Sequence, residues 1–93
     1  MIKTFANKET AAAFAGAQVR RFGADWLPAA RRKLAQLHVA RGPDDLRAPP
    51  GNRLERLSGD REGQWSIRIN AQWRVCFVWR DGHAWDVEIA DYH

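Results

Sequence analysis

Cysteine is almost missing from this sequence: Cys76 is the single thiol in 93 residues, set in an apolar run. No disulfide can close within the chain, and no Cys and His spacing suited to zinc is available, which fits a reducing, cytoplasmic setting. Long apolar runs are missing as well. Met1-Ile2-Lys3-Thr4-Phe5 passes at once into a charged segment, an opening that suits neither a signal peptide nor a membrane span, so no membrane partner is expected. Lysine is scarce: of fifteen basic residues twelve are arginine, the side chain whose planar fork best matches phosphate. Against eleven acidic residues this leaves a formal charge of +4, which favours an anionic partner. Ninety-three residues make one domain, 1–93, with a single core and no room for a second, cofactor-binding unit; neither cofactor nor metal is expected.

The apolar period changes once, near Pro49-Pro50-Gly51. Ahead of that point it is helical. A short strand over residues 2–5 runs into Asn7, a suitable N-cap, with Glu9 placed to favour the helix dipole. The first helix is expected over residues 11–22, with Phe14, Ala17, Val19 and Phe22 at roughly helical spacing and Gly23 as its stop. A second helix is expected from Trp26 or Pro28 to Val39, ended by Gly42-Pro43. Its inward face carries Leu27, Ala30, Leu34 and Leu37, with His38 beside them, and its polar face carries Arg31, Arg32 and Lys33. That basic cluster reads first as a solvated helix face and second as a contact for RNA or an acidic partner.

Beyond Pro50 the period falls to two. Residues 64–70 alternate Trp65, Ile67 and Ile69 against Ser66, Arg68 and Asn70, and Asn70-Ala71 can turn the chain. Residues 72–80 send Trp73, Val75, Phe77 and Trp79 one way and Arg74, Cys76, Val78 and Arg80 the other. Asp81-Gly82 is a two-residue hairpin signal. Residues 83–89 place Trp85, Val87 and Ile89 on one face and Ala84, Asp86 and Glu88 on the other. The fold class expected is α+β: a short N-terminal strand and two helices packed on one face of a small, mainly antiparallel sheet ending in a three-stranded meander. Tryptophans 65, 73, 79 and 85 are assigned to its core because of their apolar area, not to base stacking.

Chemistry is expected on the opposite face, which groups Arg68, Arg74, Asp86 and Glu88. The bland reading is surface ion pairing worth under about 1 kcal/mol. Asp91-Tyr92-His93 follows the last strand and adds a carboxylate, a phenol and an imidazole, which are useful only if that strand holds them. Gly59-Asp60-Arg61-Glu62-Gly63 reads as a tight turn in which Asp60 or Glu62 fixes Arg61; it lacks the glycines and the Lys-Ser or Lys-Thr pair of a P-loop. His38 and His83 read as structural or solvated.

In order, Asn52-Arg53-Leu54-Glu55, Gly59-Asp60-Arg61-Glu62-Gly63, Trp65-Ser66-Ile67, Gln72-Trp73-Arg74-Val75 and Asp91-Tyr92-His93 resemble the HigB group of RelE/ParE-superfamily toxins. The motifs cover about the last 45 residues; length and element order extend the likeness to the whole chain. The resemblance implies a RelE-like fold and a type II toxin that cuts messenger RNA within translating ribosomes in the cytoplasm. It also implies silencing by a HigA-like antitoxin, with operator DNA bound mainly through that antitoxin. The alternatives are a ParE-like DNA gyrase inhibitor and a non-catalytic basic RNA-binding module.

Position by position, the resemblance gives catalytic roles to Asp91, Tyr92, His93 and Arg74. Some members carry a histidine and a lysine where this sequence has Glu55 and Ser58, which brings Glu55 into the catalytic set. Cleavage without a metal needs the 2′-hydroxyl deprotonated, the pentavalent phosphate stabilised and the 5′-oxygen protonated. Arg74 suits the phosphate, with Arg61, Arg68, Arg53 and Arg56 as RNA-binding residues. His93 is the acid or base, with Glu55 or Asp91 as alternative bases. Tyr92 suits stacking on a base or holding a phosphate oxygen.

Overall fold

A computed structural model describes residues 1–91. Two helices, α1 (Lys8–Phe14) and α2 (Leu27–Val39), precede a four-stranded antiparallel sheet of β1 (Glu55–Arg56), β2 (Gln64–Arg68), β3 (Trp73–Arg80) and β4 (His83–Asp91), ordered β1-β2-β3-β4. The α+β expectation holds, with one strand more than the meander because Glu55 and Arg56 pair with Ser66 and Trp65. The expected opening strand is reduced to two parallel bridges, Ile2 to Ala84 and Phe5 to Val87. They still serve the sheet. The Met1 and Thr4 carbonyls accept the Ala84 and Val87 amides, and Thr4 Oγ1 takes that of Asp86, so much of the outer edge of β4 is hydrogen-bonded.

Helix α1 is shorter than expected. Asn7 caps it as foreseen, its Oδ1 accepting the Thr10 amide at 2.8 Å, but it ends at Phe14. Gly16, at φ +94°, ends the helix. Its amide bonds the Ala13 carbonyl and the Ala17 amide bonds the Ala12 carbonyl, a closure that requires a residue tolerant of the left-handed region. Arg31, expected on a solvated face, instead donates to the Ala13 and Ala17 carbonyls at this terminus. Gly23 does other work: a Cβ there would come within 2.6 Å of Asp25 Oδ1 and 2.7 Å of Trp26 Nε1. Helix α2 matches expectation, burying Leu27, Ala30, Leu34 and Leu37. These meet Ile67, Val75, Phe77, Val87 and Ile89 on the inner face of the sheet. His38 has the expected structural part: its Nδ1 accepts the Ile2 amide, and its ring lies 5.3 Å from that of Phe14.

The β3–β4 hairpin turns at Asp81-Gly82, with φ of 53° and 79°, as the dipeptide predicts. Alternation along β4 then breaks. Val78 stands opposite Trp85 while Cys76 stands opposite Glu88, so β4 holds one residue more than β3 between these pairs. The extra residue is Asp86, with φ 53°, a β-bulge. The bulge overturns the expected faces: Ala84 pairs with Trp79 and is buried in the core, while Trp85 joins Val78 on the outer face. Asp86 leaves the expected cluster with Arg74 and accepts from Thr4 Oγ1.

Candidate active site

The outer face is organised in rows by register. Glu55, Ser66, Cys76 and Glu88 stand side by side across the four strands, and Arg68, Arg74 and Ala90 form the next row. The face is less polar than alternation suggests: Ser66, Cys76 and Ala90 are buried, and Leu57 packs with Cys76 and Ala90.

Arg74 is the fixed point. Its residue exposure is 7%. Its Nε donates to Ser66 Oγ at 2.7 Å, and its Nη2 donates to the Arg53 carbonyl at 2.7 Å. The Glu55 carboxylate lies 3.7 Å from Nη1. That carbonyl is aimed by the left-handed backbone of Arg53, φ 46°. Nη2 also lies 3.4 Å from the Ser66 carbonyl, so the orientation of the guanidinium, and with it the direction of its charge, is set before any ligand arrives.

Arg61 is also held, donating to Gln64 Oε1 and Glu88 Oε1, each at 3.1 Å. The turn was expected to fix it through Asp60 or Glu62; these bonds reach the flanking strand β2 and, across the sheet, β4. Both arginines act electrostatically on the Cys76 thiol. Burial pushes that thiol up, Arg61 and Arg74 pull it down, and Glu88 adds to the rise.

The remaining candidates separate. Arg68 stands directly across from Arg74 on β2 and is half-buried. Arg53 is exposed and contributes a carbonyl to the site. Arg56 pairs with Trp65 on the inner side of the sheet edge, its guanidinium 5.1 Å from that ring. Asp91 stands opposite Trp73, on the inner side and so away from the face of Arg74, and accepts from Gln72 Nε2 at 3.1 Å. Tyr92 and His93 lie outside the described residues. Among those described, no group of His, Cys, Asp and Glu is placed to hold a metal ion, and no helix is long and apolar enough to cross a membrane.

Sequence reading missed Ser66 and Gln64 as partners of the arginines, and it grouped Glu88 with Arg68 and Arg74 where the structure pairs it with Arg61. Register carries the signal: pairing Arg68 with Arg74 around the Asn70 turn makes Ser66 the diagonal neighbour of Arg74. Asn52 was legible as part of a motif without a role. It is fully buried, accepts from Lys33 Nζ and donates toward Gln36 Oε1 and the Leu46 and Ala48 carbonyls, pinning the segment that delivers Arg53 and Glu55.

Solved structures share this architecture. A YoeB-YefM complex from Staphylococcus aureus contains a chain that superposes with a TM-score of 0.62, covering 100% of this chain and 95% of its own at 15% identity. A second, heterotetrameric YoeB-YefM structure from the same organism gives 0.61 at the same identity and coverage. Among sequences, Toxin HigB-1 of Vibrio cholerae serotype O1 is 53% identical over 53 residues, 57% of this chain and 56% of that protein. Endoribonuclease HigB of Proteus vulgaris is 46% identical over 41 residues, 44% of this chain and 45% of that protein. The chain spans about half the length of these relatives. The family described as the RelE-like toxin of type II toxin-antitoxin system HigB matches residues 3–93, and the chain belongs to that family.

Proposed function

We propose that this chain is a toxin that cuts messenger RNA on the translating ribosome, with Arg74 as the phosphate-binding residue. The observation that carries the reading is the double anchorage of Arg74 by Ser66 Oγ and the Arg53 carbonyl, both at 2.7 Å. The 2′-oxygen attacks the adjacent phosphorus, the bond to the 5′-oxygen breaks, and the products are a cyclic phosphate and a free 5′-hydroxyl. Arg74 opposes the charge that grows on the equatorial oxygens, a task suited to a donor that need not reorganise. No metal enters this scheme. The resemblance of Asp91-Tyr92-His93 to the family's ending supports His93 as the group that moves the proton and Tyr92 as a stacking or phosphate-holding ring. Glu55, 3.7 Å from Arg74 Nη1, is the competing base.

The reading extends to partners. A HigA-like antitoxin would silence the toxin and carry most contacts to operator DNA, and the cytoplasm, where ribosomes and message meet, is its place of action. By likeness, the endoribonuclease name of the Proteus vulgaris relative supports the activity, and the toxin-antitoxin title of the heterotetrameric YoeB-YefM structure supports an antitoxin partner.

Programmed ribosomes treated with the protein, with message ends mapped by primer extension, test the reading. Wild type should produce discrete new ends that are lost in Arg74→Ala. Absence of cuts by the wild type, together with inhibition of DNA gyrase supercoiling, would replace it with the gyrase-inhibitor alternative.

A further inference from the structure

Five tryptophans occur in the chain, and four pack against the hydrophobic core: Trp73 within it, and Trp26, Trp65 and Trp79 at its margin. Trp85 is not among them. The bulge at Asp86 turns it to the outer face, directly across from Val78, where it is half-buried. Its ring stacks under Arg80, with the guanidinium carbon 4.3 Å from the centroid, and its Nε1 donates to the Arg80 carbonyl at 2.9 Å. Placing a large apolar ring outside the core forgoes burial, and here it also uses a non-glycine residue at positive φ. The core therefore does not account for its position.

We infer that Trp85, stacked with Arg80, is a base-stacking platform for single-stranded RNA on the face that carries Arg74, an inference that rests on the RNA-cleaving reading of that face. Three observations choose this ligand. Val78, the partner of Trp85, is four residues along β3 from Arg74, about 13 Å at the usual rise per residue, a distance a few nucleotides can span. Between them lies Arg61, held by Gln64 and Glu88, so guanidinium groups line the path. Indole and guanidinium planes are also the two surfaces on which unstacked bases settle without regard to sequence. The inferred site is therefore a second grip on the strand, distant from the reacting phosphate, and its ligand is single-stranded RNA whether message or an unpaired ribosomal segment.

The test measures affinity for a 2′-O-methyl oligonucleotide, which lacks the attacking hydroxyl, using wild type, Trp85→Leu, Trp85→Phe and Arg74→Ala at two salt concentrations. Far-UV circular dichroism and thermal melting check each fold. Trp85→Leu keeps an apolar, though smaller, side chain but removes the aromatic plane, and is expected to weaken binding by about tenfold. Trp85→Phe should stay within about threefold of wild type. Because no phosphate contact is lost, the salt dependence in Trp85→Leu should match wild type. On programmed ribosomes KM should rise by more than kcat falls. If binding arises through ribosomal RNA, the change appears with ribosomes carrying no message; if through message, it appears with the oligonucleotide. Equal binding by Trp85→Leu and wild type in both arms overturns the inference, as does a Trp85→Leu variant that loses only antitoxin binding. Undiminished cutting by Arg74→Ala would instead refute the catalytic reading and leave the Trp85 result to be read separately.

Discussion

The Arg74 Nε donates to Ser66 Oγ over 2.7 Å, with Ser66 fully buried and Arg74 nearly so. A serine hydroxyl on β2 thus sets the direction of the guanidinium on β3. Ser66→Ala should leave the sheet intact while removing one of the two anchors of Arg74, whose Nη2 still donates to the Arg53 carbonyl. The cleavage rate is expected to fall by about ten- to a hundredfold, the scale on which small misplacements of a catalytic group act. Single-turnover kinetics on programmed ribosomes check this, with the melting temperature measured alongside to separate positioning from unfolding.

Asn52 joins α2 to the segment before β1 through Lys33, Gln36 and two backbone carbonyls. Truncating it removes the partner of the Leu46 carbonyl in a buried bond and of Lys33 Nζ and Gln36 Oε1 in part-buried ones. Asn52→Ala is expected to cost about 1–3 kcal/mol, read as a lower urea midpoint. Activity should fall with it, since Arg53 and Glu55 follow on the same segment.

The Cys76 thiol is fully buried, and that burial pushes its ionisation up. In the native protein it should react slowly with a disulfide reagent at pH 8, then rapidly in urea. The sign of the pH effect follows. A thiol whose folded pKa is raised contributes stability that is present below its unfolded value, about 8.5, and is lost as pH climbs above that value. Between pH 7.5 and 9.5, wild type should lose more stability than Cys76→Ala, as measured by urea unfolding.

Asp86 occupies φ 53°, a region that Asp tolerates and β-branched residues do not. Asp86→Val should destabilise the fold by about 1–3 kcal/mol, or remove the bulge and return Trp85 to the inner face. Thermal melting together with tryptophan fluorescence distinguishes these outcomes.

The bulge also shows why only part of the molecule was legible in the sequence. Alternation read β2 and β3 correctly because each residue there advances the face by one step. It misplaced Trp85 and Ala84 because one extra residue in β4 reverses parity, and nothing in His83-Ala84-Trp85-Asp86-Val87 marks it beyond an aspartate able to adopt positive φ. Helix α1 is shorter than its spacing predicts for a different reason: Phe22 is buried, as that spacing suggests, but Gly16 ends the helix before it. At the site, Arg74 was legible by resemblance and Glu55 by its departure from pattern. The contacts that hold Arg74 required register and backbone direction, since the Arg53 contribution is a carbonyl and carries no side-chain signature.

The central claim is that Arg74, held by Ser66 and the Arg53 carbonyl, stabilises the phosphate during cleavage. The most direct measurement is the single-turnover rate of message cleavage on programmed ribosomes by wild type, Arg74→Lys and Arg74→Ala, each confirmed folded. Loss of a preorganised donor predicts a fall of about 10²- to 10³-fold in Arg74→Ala. Arg74→Lys should recover only part of it, because a lysine keeps the charge without the fork. Cleavage by Arg74→Ala at the wild-type rate would contradict the account.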